Sequence, residues 1–435
     1  MSSPGWCGEN NDGYAVSMLC RNGRSQKQRS RLHQENEPAG QVVEEFRVFG
    51  TTTRELLALA EWLVQTGVTD AAMESTGVYW KPVYNLLEGR VKVFLCNARH
   101  VKNVPGRKTD TKDSQWLAQL LQHGLLRPSF IPPRPVRELR DLTRTRASME
   151  DDKTRVANRI HKILEDANIK LSGVATDILG VSGRQMIYGL IGGQSDATQL
   201  AKLARGQLKK KEGKLVLALE GNVTEHHRFM LRLLMNQLRE IEGLVKQVDA
   251  RIEQMMAVGS ESKVIGDSTR PFAAALMLLV EMWGISQRNA ENILAEIGTD
   301  MSRFPSHQHF ASWAKMCPGS NCSAGRNKSS ATGQGNPWLR RALVQAAWAS
   351  SRAKKSYLSA RFKRLAARRG KQRAMIAIGH SMLRAIYYML RDGVEYRDLG
   401  PMHYESLNQE KAQRYLVKRL QSLGFDVALT KRAAS

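Results

Sequence analysis

The chain has 435 residues, enough for two or three domains with a sizeable core. No apolar run reaches the roughly 18 residues of a membrane span, and the opening residues lack a basic-then-apolar signal pattern, so a cytoplasmic protein without membrane partners is expected. Five scattered cysteines with no CxxC pair argue against a disulfide framework or a zinc site, while 66 Lys and Arg against 41 Asp and Glu leave a net charge of +25 that favours a polyanionic partner.

Residues 1–41 are polar, with Asn, Gly, Ser and Arg clusters, and are read as a divergent segment, disordered or translated out of frame. An α/β domain is expected over 42–134. Val42 to Phe49 alternates like a strand, and Thr52 to Gln65 has helical spacing through Leu56, Leu59, Ala60 and Leu63. A short buried strand over Ala71 to Thr76, a helix near Trp80 to Leu87, a strand over Val91 to Cys96 and a helix from Asp110 to His123 complete it.

Residues 135–262 read as a helical coiled-coil region. One long helix spans Val136 to Ile169, and a later one carries Leu231, Leu234, Leu238, Ile241, Val245, Val248, Ile252 and Met255 at alternating intervals of three and four. That spacing serves a partner helix of this chain or of a second subunit equally well.

A mainly helical domain is expected over 263–400, and a tail helix over 401–435. Gly284-Ile-Ser286 resembles a degraded helix-hairpin-helix turn, a reader of phosphate backbones. Asn336 and Pro337 form an N-cap and first helical position, followed by Leu339, Leu343, Ala346 and Ala347 on one face. From Met301 through Arg391 there is no Asp or Glu. A folded stretch with one sign of charge repels itself unless a polyanion lies along it, so nucleic acid is the expected partner.

Three carboxylates stand out. Glu74 closes a buried strand, where an unpaired Glu is costly unless it binds a cation. Asp110 and Asp113 share one face at a helix start, a place where Asp is also an ordinary capping choice. Carboxylates converging on one point need divalent cations between them, and oxygen ligands suit Mg²⁺ or Mn²⁺.

The segments Met73-Glu-Ser-Thr-Gly-Val-Tyr-Trp80, Asn97-Ala-Arg-His-Val-Lys-Asn-Val-Pro-Gly-Arg-Lys-Thr-Asp-Thr-Lys-Asp113 and Pro318-Gly-Ser-Asn-Cys-Ser-Ala-Gly325 resemble the DEDD transposases of insertion-sequence family 110, related to Piv-type DNA invertases. The resemblance covers roughly residues 45–425. It implies a fold of class α/β plus α: an RNase H-like (RuvC-like) N-terminal domain, a coiled-coil insertion and a helical C-terminal transposase domain. It further implies DNA strand cleavage and exchange, a structured bridge RNA as guide, and a homo-oligomer, dimer or tetramer. By motif, Glu74, Asp110 and Asp113 become metal ligands and Ser323 the nucleophile, with Ser320, Ser329 and Ser330 as rivals on composition alone. Arg326, Lys328, Arg340, Arg341, Arg368, Arg369, Lys371 and Arg373 are expected to hold nucleic acid.

One feature of the family pattern is missing. Members open with a strand whose Asp completes the metal site, and nothing in residues 1–48 reads that way. Asp12 lies in an Asn-Asn-Asp-Gly turn signal. Residues 20–28, Cys-Arg-Asn-Gly-Arg-Ser-Gln-Lys-Gln, can be encoded so that a one-base shift reads Val-Gly-Thr-Asp-Val-Ala-Lys-Ser, the strand the family expects. The central strand is therefore expected to be absent and activity impaired. A catalytically inactive nucleic-acid-binding remnant and a RuvC-like junction nuclease are the alternatives.

Overall fold

The computed structural model describes residues 14–19, 27–34, 43–75, 77–96, 110–126, 128–258, 271–319, 321–323, 326–329, 331–404 and 409–429. The chain is mostly helical and divides into two units, Met1–Pro132 and Pro133–Ser435.

The first unit is built on a five-stranded sheet. Its strands are β1 (Tyr14–Leu19), β2 (Lys27–Gln34), β3 (Val43–Gly50), β4 (Val68–Glu74) and β5 (Lys92–Cys96), in the order β3-β2-β1-β4-β5. β1 pairs antiparallel with β2 and parallel with β4, and β4 pairs parallel with β5. The central strand expected to be absent is thus present, and the segment 1–41 contributes two strands. Ladder hydrogen bonds come from the backbone, so a six-residue run of ordinary strand formers suffices between two partners, whatever its motif. The polar residues flanking Tyr14–Leu19 hide it from periodicity. Residues 20–26, most of the segment open to a frame-shifted reading, lie outside the described residues, and Lys27 and Gln28 begin β2.

Helices cover both faces of this sheet. On one, α1 (Thr53–Gln65) and α2 (Trp80–Leu87) bury Leu56, Leu59, Leu63, Val83 and Leu87 against Ala71, Met73 and Leu95. Thr52 caps α1, accepting from the Glu55 amide at 3.4 Å, while the Glu55 carboxylate accepts from Thr52 Oγ1 at 2.6 Å and the Gly50 amide at 3.0 Å. On the other face α3 (Asp110–Gln122) lays Leu117 against Ala72 and Cys96.

The second unit is organised by two long helices, α4 (Arg134–Asp166) and α8 (Glu225–Val258). The start of α4 meets the end of α8, with Leu139 in one cluster with Ile252 and Met256, whereas Val156, Ile160 and Leu164 meet Leu231, Leu234 and Leu238. The pair is therefore antiparallel, and the heptad row of α8 is buried within this chain. Between them α5 (Val181–Ile191), α6 (Ala197–Ala201) and α7 (Glu212–Leu219) cap the far end.

At the near end lie α9 (Phe272–Val280), α10 (Gln287–Ile297), α11 (His307–Trp313), the hairpin β6 (Asn321–Ser323) and β7 (Arg326–Ser329), α12 (Pro337–Ser351), α13 (Tyr357–Arg369) and α14 (Lys371–Asp392). Asn336 caps α12 as expected, accepting from the Trp338 and Leu339 amides at 3.0 and 3.2 Å. Leu339, Leu343, Ala346 and Ala347 are buried. The tail helix α15 (Gln409–Ser422) exposes Tyr415, Leu416 and Leu420. Among the described residues no helix is long and apolar enough to cross a membrane.

Candidate functional site

Strand parity positions the first carboxylate. Ala71 and Met73 face α1 and α2, so Ala72 faces α3, and so does Glu74, two residues on. Glu74 is half-buried and pairs in register with Cys96, and the Ser75 amide extends that ladder by donating to the Cys96 carbonyl at 2.8 Å. Burial pushes the Cys96 thiol up to about 11, so it stays a neutral packing group. Helix α3 opens with Asp110 and Asp113 on this same side of the sheet. Residue 113 lies four residues, about 6 Å along the helix, before Leu117, which packs on Ala72 and Cys96. The side chains of Asp110 and Asp113 lie outside the described residues.

β1 runs beside β4, with Ser17 opposite Ala72 and Met18 opposite Met73, so Leu19 is level with Glu74. Positions 17 and 19 are the ones on the Glu74 face, and neither is a carboxylate. Tyr14 enters the sheet opposite Val68, the end away from Glu74, and Asp12 precedes that end and lies outside the described residues. The oxygen donors Glu74, Asp110 and Asp113 suit a hard divalent cation in kind, but β1 adds no carboxylate to them. Among the described residues no group of three or more His, Cys, Asp or Glu could hold a metal ion.

The second locus is the β6–β7 hairpin. Ser323 ends β6 and pairs with Arg326, the first residue of β7, with Lys328 further along that strand. The side chains of Ser320, Ser323, Arg326, Lys328, Ser329 and Ser330 lie outside the described residues.

What supports this hairpin is well defined. Arg340 donates to the carbonyl of Lys315 at 3.0 Å and to that of Gly333, drawing the two flanks of the loop together. Asn336, the cap of α12, donates to Glu296 at 2.6 Å. Glu296 is only 1% exposed and is held by Arg144 through two bonds of 2.7 and 2.8 Å. Arg140 donates to the carbonyls of Ala295 and Glu296 at 3.1 and 2.8 Å, tying α4 to the C-terminal end of α10. Further along α4, buried Arg146 reaches Glu291 at 2.6 Å, Asp249 at 3.0 Å and Asn292 at 2.8 Å. Arg140, Arg144, Arg146 and Glu296 escape a reading by spacing, because each pair joins residues more than a hundred positions apart.

The Gly284 turn has a different role from the one its pattern suggests. Gly284 has φ +95°, and a Cβ there would lie 2.6 Å from the Ser350 amide and closer still to the Ala346 carbonyl. This glycine lets the turn press on the backbone of α12, and it is spent on packing rather than on phosphate.

The expected nucleic-acid residues divide into two groups. Arg340 is engaged with loop carbonyls, and Arg341 makes a two-pronged pair with Asp151 of α4 at 2.6 and 2.7 Å. That hydrogen-bonded pair lowers the Asp151 carboxyl below the usual carboxylate range and raises the Arg341 guanidinium. Arg368, Arg369, Lys371 and Arg373 are exposed around Gly370, where α13 gives way to α14, and no ion pair holds them among the described residues.

Two family models match the chain. One, for DEDD transposases of IS110 elements and described as Transposase, covers residues 36–169; the other, described as Transposase IS116/IS110/IS902 family, covers 276–363. No individually curated protein matches. Proteins of this kind bind, cleave and recombine DNA, typically with a divalent metal. With one model spanning Glu74, Asp110 and Asp113 and running on through α4, and the other on the basic helical domain, the chain belongs to the insertion-sequence 110 family of transposases.

Proposed function

We propose that the chain is a DNA transposase with an RNase H-like first unit, and that its metal-dependent chemistry is impaired. Glu74, Asp110 and Asp113 would hold Mg²⁺ or Mn²⁺, which when bound supplies charge neutralisation at the scissile phosphate. Ser323 acts as nucleophile. Its Oγ bonds to phosphorus, the phosphorus–oxygen bond to the neighbouring deoxyribose breaks, and the released hydroxyl takes up a proton, leaving the strand end esterified to the protein. Its place at the end of β6, paired with Arg326 in a chain segment rich in cations, supports this role. Arg326, Lys328, Arg368, Arg369, Lys371 and Arg373 hold phosphates around it, while Arg340 and Arg341 act largely by holding the loop and α12 in place. A structured bridge RNA as guide, assembly as a dimer or tetramer on two DNAs, and a cytoplasmic location next to the nucleoid belong to the same reading.

The observation that carries the impairment is the β1 register: positions 17 and 19, level with Ala72 and Glu74, hold serine and leucine rather than a carboxylate. The test is covalent capture of a DNA end by the purified chain in Mg²⁺. Little adduct is expected from the chain itself, and more from Ser17→Asp or Leu19→Asp, lost again on Ser323→Ala. Efficient adduct formation by the unaltered chain, abolished by Asp110→Ala, overturns the impairment. Strand cleavage without any adduct favours the junction nuclease. Tight DNA binding with no cleavage by any variant favours the inactive remnant.

A further inference from the structure

The residues of α12 that turn away from the core form a pattern that the proposed chemistry does not use. Trp338, Arg341, Gln345, Trp348 and the C-cap residue Arg352 recur at intervals of three, four, three and four, on the face opposite buried Leu339, Leu343, Ala346, Ala347 and Ser350. We infer that this face is a stacking ladder for an unpaired DNA strand, an inference that rests on the DNA-acting reading above.

Both tryptophans sit beside a cation. The Arg352 guanidinium lies 6.0 Å from the Trp348 ring centroid, and the Phe362 ring of α13 braces that indole at 6.4 Å. The Arg144 guanidinium lies 5.8 Å from the Trp338 ring. Trp348 is 45% exposed, a large apolar surface left facing solvent. Alternating indoles and guanidinium groups are what single strands bind, because aromatic rings take base faces of any sequence while cations take the phosphates.

The charge around the stripe agrees. Beside the first half of α12 runs a cleft of about 320 Å³, lined by Arg144, Arg288, Asn292, Trp338, Arg341 and Gln345. The carboxylates near it are neutralised: Glu150 by Arg288 at 3.0 Å, Asp151 by Arg341 and Glu296 by Arg144. Residues 301–391, which include the whole of α12, contain no Asp or Glu. A docking protein would meet isolated indoles separated by charge rather than a continuous apolar patch.

Spacing selects the form of the nucleic acid. Ten residues of helix separate the two indoles by about 15 Å along the axis, several times the roughly 3.4 Å step of a stacked strand. In a duplex each base face is already covered by its neighbours, so only a strand pulled out of pairing could lay bases on both rings. Strand exchange creates such DNA.

Fluorescence anisotropy of the full chain tests this with a labelled oligothymidylate of about 12 nucleotides, a duplex of equal length and an oligouridylate. Trp348→Ala is expected to weaken oligothymidylate binding about tenfold and to leave duplex binding nearly unchanged. Trp348→Phe should keep most of the affinity, and Arg352→Gln should flatten its salt dependence. Unchanged single-strand binding by Trp348→Ala, with duplex binding intact, overturns the ladder alone. Absence of duplex binding by the unaltered chain overturns the DNA-acting reading instead. A Trp348-dependent preference for oligouridylate overturns the choice of DNA. A change of oligomeric state with constant oligothymidylate affinity assigns the face to a second copy and overturns the inference.

Discussion

The two units are held together by different physics, and the difference bears on what each can lose. The first is a backbone construction: five strands paired through main-chain hydrogen bonds, with apolar helices on both faces. The second depends on side chains, since α4, α8 and α10 are joined by Arg146, Asp249 and Glu291, and α4, α10 and α12 by Arg144, Glu296 and Asn336. A backbone ladder tolerates the loss of a catalytic side chain without losing the strand. A buried ionic lattice tolerates no such loss, because each missing partner strands a charge. The region where catalysis is most easily lost is thus the one where its loss leaves the least structural trace.

The largest expected effect is in the lattice. Arg146→Ala leaves the Glu291 carboxylate buried without its cation and should destabilise the second unit by about 3–5 kcal/mol, measured by urea unfolding followed by helical circular dichroism. A loss below 1 kcal/mol would show that the lattice is dispensable and would erase the contrast. Glu296→Gln should cost less, on the order of 1–3 kcal/mol, since the amide can still accept from Arg144 and Asn336. The same variant should loosen the loop between Met316 and Asn336, read as faster proteolysis there.

In the sheet the expectation reverses. Ser17→Ala should change stability by less than about 1 kcal/mol, despite its central place. A much larger loss would mean that the Ser17 side chain supports the sheet, contrary to the comparison drawn here.

The smallest effect concerns acid. Hydrogen bonding from Arg184, then from Lys153, holds the Glu242 carboxyl below its ordinary value near 4.5. A carboxyl depressed in the folded state adds stability above its unfolded value and loses it as the pH falls through the folded one. Glu242→Gln should therefore narrow the stability difference between neutral pH and pH below about 4. The amount is under about 1 kcal/mol, because the pair is partly exposed and screened. An unchanged acid profile would remove Glu242 from the account.

Much of the candidate site was readable in the chain. Glu74 at a strand end, a helix opening with Asp110 and Asp113, and Asn336 capping α12 all follow from local periodicity and capping chemistry, and all three elements are present. Less readable were β1 and β2, whose polar surroundings mask short strands, and the Gly284 turn, whose sequence cannot tell a phosphate from the backbone of α12. The arginines of α4 look like an ordinary solvated face by spacing, and only long-range contacts reveal their carboxylate partners.

By itself the sequence determined the order and type of the long elements, the acid-free basic stretch, and the absence of a β1 carboxylate, because these depend on neighbouring residues and on composition. The tertiary structure decided three other matters: that a carboxylate-free strand still fills the centre of the sheet, that the heptad row of α8 closes on α4, and that Arg144 of α4 holds Glu296 and, through it, the Asn336 cap of α12. Each depends on what lies opposite in space, and a chain read in order carries no record of its partners.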